Sequence, residues 1–551
     1  MTQRVNEKDM VRTLINPYIP IWTKEDIEDI VKVVRCLRKN KTVEQSCGHI
    51  SKESRLFPWV QKNLIELLSH HISGGDNGVV EVFSTLYSGR LIHNYDTQQW
   101  VKWRETHWEP VGSSELKSLL KDACTVAISL GADPKRLRKG YGINSIFSLL
   151  PTARELWIHS SNMDNAIGKI NCLSGTWDPV IGWYPNNPND YLIQCFPVRY
   201  DEKALCDLPK SLWGKALSKS CKGQPGLMDF LQLIVGYTYL GLGEQKCLFI
   251  YHSFPRNTGK TTFIEAIGAT LGNYAKPYPI QALLKRRGSE NPSGPQHHQA
   301  QLMGARMAIS TEPPLFSEWD ESAIKALTGG DSVYARNPYA RDVSKFVNRA
   351  IVFISLNTIP NLSDFDPATQ ARIIIIPFKN VIRKIQPGQG TFLKTDPRQQ
   401  QIIFAWGIEG AKRYWKRRTD PETSHKILEF PPCVSQTTKE YLQFQSPLHD
   451  FIANNCHVRE NGERPIKFNT FHTHFNRWAT QEGHNLTKYG LGSINKISRV
   501  LRKIGYPIAA GTGNKRWISN LVWNPEVVEE KGRTAANLSK LKKLVKGSGQ
   551  L

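Results

Sequence analysis

The chain has 551 residues, 40% hydrophobic and 22% charged, an ordinary globular mixture with room for about three or four folded units. Its formal net charge of +23 favours a polyanionic partner over a neutral one, and nucleic acid is the commonest, because Lys and Arg release counterions held by phosphates. No run of 18 apolar residues exists to span a membrane, and the first 20 residues lack an apolar core of signal-peptide length, so a soluble, cytoplasmic protein is expected.

In chain order, residues 1–79 read as a polar, helical N-terminal region with a basic stretch at Arg35–Lys41. The run Ser73-Gly-Gly-Asp-Asn-Gly78 reads as a loop and a boundary. Residues 80–215 form an α+β unit rich in tryptophan, with Trp100, Trp103, Trp108, Trp157, Trp177, Trp183 and Trp213. Such rings build cores more often than they stack on bases. Short strands over 91–110 lead into a helix at Ser113–Leu130. Residues 216–385 change character. A helix at Leu227–Leu240 precedes the apolar strand CLFIY (247–251), and further strands follow at MAIS (307–310), AIVFISL (350–356) and IIIIPF (373–378). Strands alternating with helices predict a mainly parallel α/β sheet.

Residues 386–445 read as a basic connecting helical segment, with WKRR at 415–418. In 446–524, Phe468, Phe471, Phe475 and Trp478 recur at helical spacing and predict a core-facing stripe. A second helix near Ser493–Lys503 carries Lys496, Arg499, Arg502 and Lys503, and a glycine turn in AAGTGNKRWIS (509–519) follows. Helix, helix, hairpin is the order of a winged helix. Residues 525–551 read as a basic, flexible tail. The ten cysteines include no CxxC pair, and Cys47 with His49 is the nearest approach to a metal site. Scattered thiols of this kind suit a reducing compartment.

The chemistry concentrates in SFPRNTGKTT (253–262), between an apolar strand and a helix expected to begin near Thr261. Loop amides and the positive end of a helix wrap phosphates in that context. Asn257, Thr258, Gly259, Lys260, Thr261 and Thr262 are the candidate ATP contacts. Lys260 would reach the β- and γ-phosphates and Thr261 would place its hydroxyl on Mg2+. The standard loop, GxxxxGK[ST], has a glycine where this one has Phe254. In GARMAISTEPP (304–314) a strand ends in Glu312, placed to polarise water or assist Mg2+. Asn357 ends the strand of AIVFISLNTIP, and Arg372 precedes a buried strand in ATQARIIIIPF.

The block 230–274 and its continuation, GARMAISTEPP…DESAIKALTGGDSVYARNPY…FISLNTIP…ARIIIIPF, resemble superfamily 3 helicases, in particular the C-terminal halves of poxvirus and satellite-phage primase–helicases. The resemblance is strong over 226–380, moderate over 80–215 and weaker over 446–524. It implies an AAA+-like phosphate-loop core in a homo-oligomeric ring, a hexamer, translocating 3′ to 5′ on single-stranded DNA to open duplex. It matches Lys260 and Thr261 to the Walker A pair, Glu312 to the Walker B acid, Asn357 to the polar sensor and Arg372 to the arginine finger. Lys325 matches a basic position facing the neighbour's nucleotide. YARNPYARDV (334–343) matches the pore hairpin, with Arg336, Tyr339 and Arg341 as DNA contacts; Lys496, Arg499 and Lys503 are those of the winged helix. A separate primase or polymerase is an expected partner, and no primase activity is expected in this chain. Two rivals stand beside this reading: a DNA-binding replication initiator with a weak ATP site, and an AAA+ ATPase acting on another substrate.

Overall fold

The computed structural model describes residues 23–37, 46–47, 50, 56, 75–137, 139–164, 167–253, 255–285, 297–313, 317–330, 332–335, 344–362, 366–383, 388–443, 447–460, 462–487, 491–503, 505–511 and 515–524. The N-terminal helix α1 (Lys24–Leu37) buries Ile27, Ile30, Val31 and Val34, an i, i+3, i+4 stripe. That stripe joins α2 (Asp76–Tyr87), α3 (Ser113–Ser129) and α4 (Gly140–Leu149) in one core around Phe83, Tyr87 and Leu120. Beside it lie β1 (Leu91–Asn94), β2 (Gln99–Trp103), β3 (Trp108–Pro110) and β4 (Trp157–Ile158), in the order β3-β2-β1-β4. A small antiparallel sheet, β5 (Ile170–Cys172), β6 (Gly175–Asp178) and β7 (Gly182–Tyr184), leads to α5 (Leu212–Ser220). The expectation that tryptophans build core holds at Trp100, Trp103, Trp108, Trp177 and Trp213, all buried. Trp157 and Trp183 are half-buried.

The main sheet follows α6 (Leu227–Leu240), at the residues expected. Its strands are β8 (Leu248–His252), β9 (Ala275–Pro277), β10 (Met307–Ser310), β13 (Ile351–Leu356) and β14 (Ile373–Pro377). They lie in the order β14-β8-β13-β10-β9 and every pairing is parallel, as the alternation of strands and helices predicted. Between β8 and β9 runs α7 (Lys260–Leu271), and after β10 come α8 (Glu321–Thr328) and the antiparallel pair β11 (Ser332–Ala335) and β12 (Ser344–Val347). Both faces of the sheet are covered, so β13 and β14 are buried at every position and read as unbroken apolar runs.

After α9 (Pro367–Gln370), β14 and α10 (Gln389–Thr395) comes α11 (Pro397–Thr419), within the segment expected to connect. It packs along α6 as part of the core under the sheet. The approach is close: a Cβ on Gly236 would lie 2.0 Å from the Gly410 carbonyl carbon, and one on Gly407 would lie 2.3 Å from the Tyr239 ring. The next helix, α12 (Pro432–Gln443), packs on β14. The remaining elements are α13 (Pro447–Asn455), β15 (Cys456–Val458), β16 (Ile466–Lys467), α14 (Phe468–Gln481), α15 (Ile494–Lys503), β17 (Ile508–Gly511), β18 (Lys515–Ile518) and β19 (Leu521–Trp523). They enclose a separate core in which Phe468, Phe471 and Phe475 are fully buried and Trp478 packs alongside. No described helix is long and apolar enough to cross a membrane.

Candidate nucleotide site

The loop after β8 turns on two residues of left-handed backbone, Asn257 at φ 60° and Gly259 at φ 86°. Gly259 has a second constraint, since a Cβ there would meet Ser220 Oγ at 3.1 Å and Ile382 Cδ1 at 3.2 Å. Helix α7 begins at Lys260, one residue before the expected start, and its N-cap, Gly259, supplies no side chain to bond the first amides. Free amides and the helix dipole together make this end an anion cradle. The loop is held from both sides: Ser220 Oγ donates to the Thr258 carbonyl at 3.1 Å, and the Ile382 amide donates to the Asn257 carbonyl at 2.9 Å. The buried Thr258 Oγ1 has no hydrogen-bond partner among the described residues. A cavity of 230 Å³ adjoins the loop, walled by α5, the first turn of α7 and α10, with Leu217, Ser220, Thr262, Phe378, Ile382 and Gly390 among its lining residues.

The strand ends converge on Lys260, which is 8% exposed. Its ammonium donates to Ser253 Oγ at 2.9 Å and to Asn357 Oδ1. Burial pulls its pKa below the usual lysine value, while Glu312 pushes it back up. Asn357 bridges onward. Its backbone amide donates to Glu312 Oε1 at 3.1 Å and its side-chain amide to Glu312 Oε2 at 3.0 Å. The Thr261 and Ser355 hydroxyls are 3.0 Å apart. His252 Nε2 faces the Asn357 carbonyl at 3.1 Å, and burial lowers the pKa of this imidazole. Four residues predicted from three separate motifs, Lys260, Thr261, Glu312 and Asn357, thus meet at the carboxyl ends of β8, β10 and β13. Ligands in open parallel sheets bind at that edge.

Arg372 and Lys325 are elsewhere. The Arg372 carbonyl accepts from the Leu248 amide at the start of β8, so Arg372 sits at the amino edge of the sheet. Its guanidinium donates to Thr328 Oγ1 at 3.1 Å and to the Ala368 carbonyl. Lys325, on α8, pairs with Asp366 at 2.6 Å and holds that carboxyl well below the ordinary aspartate range. Lys496 and Arg499 are exposed on α15. Phe254, Arg336, Tyr339, Arg341, His49, the tail 525–551 and the side chain of Lys503 lie outside the described residues. Ser253, Ser355 and Ser220 were not singled out in sequence. Ser253 only follows a strand, Ser355 reaches the site through the register Ser355–Tyr251, and Ser220 comes from a helix some 40 residues upstream.

The family described as "D5 N terminal like" matches residues 80–220. A protein of Acanthamoeba polyphaga mimivirus, named by inference as a helicase, is 22% identical over 327 residues, 58% of this chain and 33% of that protein. A similarly named protein of Invertebrate iridescent virus 6 is 24% identical over 322 residues, 54% of this chain and 33% of that one. Over these stretches the chain is similar to D5-type superfamily 3 helicases. It spans about a third of the length of the curated relatives it matches. Among solved structures, the apo C-terminal region of NrS-1 is similar at a TM-score of 0.40 and 10% identity, covering 81% of this chain and 99% of that one. The D5-like match ends at Ser220, the residue whose hydroxyl holds the Thr258 carbonyl, so the last helix of the matched segment is also a wall of the candidate site.

Proposed function

We propose that this chain is an ATP-driven DNA helicase motor that works as a homo-oligomeric ring, a hexamer, on single-stranded DNA and opens duplex during replication of a mobile element, virus or plasmid. The observation that carries the reading is the chain of contacts Lys260–Asn357–Glu312 at the mouth of the phosphate loop. It links the residue that would grip phosphate to the carboxylate that would align water.

The donor set fits ATP and Mg2+. The loop has an uncapped helix end, a glycine where backbone must approach phosphate, and an adjoining cavity. Asn257, Thr258, Gly259 and Thr262 would line the triphosphate. Lys260 exchanges its bonds to Ser253 and Asn357 for phosphate oxygens. Thr261 and Glu312 would hold Mg2+, which when bound offsets charge on the β- and γ-phosphates. Asn357, already bonded to Glu312, orients the lytic water with it.

The same reading gives Arg372 and Lys325 work on a neighbour's nucleotide, since both lie at the sheet edge remote from their own loop. The antiparallel pair β11–β12 leads to Arg336, Tyr339 and Arg341, the proposed pore contacts. The C-terminal unit, with Lys496, Arg499 and Lys503 on one helix, would grip duplex as a winged helix. A separate primase or polymerase would act beside the motor.

The test is ATP hydrolysis by the purified chain with and without single-stranded DNA, beside Lys260→Ala. DNA-stimulated turnover that the substitution abolishes supports the motor. DNA binding with no turnover in either protein rejects it in favour of a binding protein on a helicase fold.

A further inference from the structure

The C-terminal unit has a second surface that the reading above does not use. In the three-stranded sheet β16-β18-β17, Ile466 pairs with Ile518 and Ile508 with Ile518, and Ile466 and Ile518 are buried. That defines the inner face. Side chains alternate across a strand, so the neighbouring pairs Lys467–Trp517, Ala509–Trp517 and Gly511–Lys515 share the outer face. Arg516 falls on the inner side, 4.8 Å from the buried Phe468 ring.

The outer face is built around one indole. Trp517 lies against Gly511, where a Cβ would come within 2.7 Å of its Nε1. The Lys467 ammonium is 5.4 Å from the ring centre. Lys467, Ala509, Gly511 and Lys515 are exposed and Trp517 is half-buried. The residues beside the ring on β17 are thus alanine and glycine, too small to cover it. Half-burial by itself does not set Trp517 apart, since Trp157, Trp183 and Trp478 are half-buried too; the lysine at its ring and the small residues beside it do. A half-open indole flanked by two lysines has the composition of a stacking platform with phosphate contacts on either side. Charge selects the occupant. The chain's own segment 525–551 has more Lys and Arg than Asp and Glu, so two lysines repel it.

We propose that the outer face of the β16-β18-β17 sheet binds single-stranded nucleic acid, an unpaired base stacking on Trp517 while Lys467 and Lys515 hold the flanking phosphates. The site is separate from the exposed basic side of α15 and needs no nucleotide.

The test is equilibrium binding of a fluorescent oligo-dT by the full chain without ATP, in an Arg336→Ala/Arg341→Ala background so that the proposed pore hairpin does not mask the effect. Trp517→Ala is expected to weaken binding about tenfold or more, and Trp517→Phe to retain most of it, because any aromatic face stacks. A blunt duplex of equal length should be bound as before by Trp517→Ala. The pair Lys467→Ala/Lys515→Ala should lower the slope of log affinity against log salt by about 1.4. Unchanged oligo-dT affinity in Trp517→Ala overturns the proposal, as does an equal loss for duplex or an equal loss in Trp517→Phe. If Trp517→Ala does not fold, an unchanged salt slope in the lysine pair overturns it. None of these readouts involves hydrolysis, so a failed ATPase reading leaves them interpretable.

Discussion

The two ends of the main sheet are built differently. At the carboxyl end, Lys260, Asn357 and Glu312 are joined by hydrogen bonds and Lys260 is buried. At the amino end, Lys325 and Arg372 are partly exposed, and each is tied to a local partner, Asp366 or Thr328. The register Ile373–Leu248 places Arg372 level with Cys247, about 17 Å along the sheet from the loop end of β8 at His252, five residues at about 3.3 Å each. A rigid sheet does not fold back on itself, so these cations cannot reach a nucleotide held at their own loop; in the proposed ring they would face the nucleotide of a neighbouring copy. Half of a reaction centre at each end of one sheet is the arrangement a ring would complete.

The largest effect expected from this difference is at Arg372. Arg372→Ala should cut kcat for ATP about a thousandfold, while nucleotide binding by the same chain stays within a few-fold of wild type. Mixing it with Lys260→Ala, inactive for the opposite reason, should restore part of the turnover, because mixed boundaries regain one intact centre. Phosphate release from the mixture no greater than the sum of the two variants breaks the comparison.

Asn357→Ala comes next. It removes the link between Lys260 and Glu312 and is expected to lower kcat about a hundredfold, the usual cost of losing one aligned donor. It acts within its own chain, so unlike Arg372→Ala it should not be rescued by mixing with Lys260→Ala. Turnover rescued as well as for Arg372→Ala would mean that the two ends do not differ.

The smallest effect belongs to Asp366. Its carboxyl pKa is depressed mainly by Lys325, so its contribution to stability is present above the ordinary aspartate pKa of about 4 and is lost as pH falls towards its own lower value. The pair is solvent-exposed, so Asp366→Asn should cost under about 1 kcal/mol at pH 7. The difference in melting temperature from wild type should shrink below about pH 4. A difference that grows on acidification would show that the ion pair is not its source.

Much of the site was legible before any coordinates. The apolar strands, the loop ending in Gly-Lys-Thr-Thr and the polar residues closing two later strands each carry a local signature. Three features were not. The packing of α11 on α6 depends on Gly236, Gly407 and Gly410 meeting across 170 residues, and a glycine inside a helix does not announce what approaches it. Ser253 and Ser355 matter only through the pairing of β8 with β13. The outer face around Trp517 exists only because Gly511 and Ala509 lie beside it.

The sequence by itself therefore determined the candidate parts and their order: the Gly-Lys-Thr-Thr loop, Glu312, Asn357, Arg372, and a C-terminal helix–helix–hairpin. Each rests on periodicity and turn chemistry within a few neighbouring residues. The tertiary structure alone decided which parts meet. Strand order β14-β8-β13-β10-β9 sets Lys260, Asn357 and Glu312 side by side and puts Arg372 at the far edge. That outcome depends on long-range parallel pairing, whose register comes from burying both faces of the sheet at once rather than from any local run of residues.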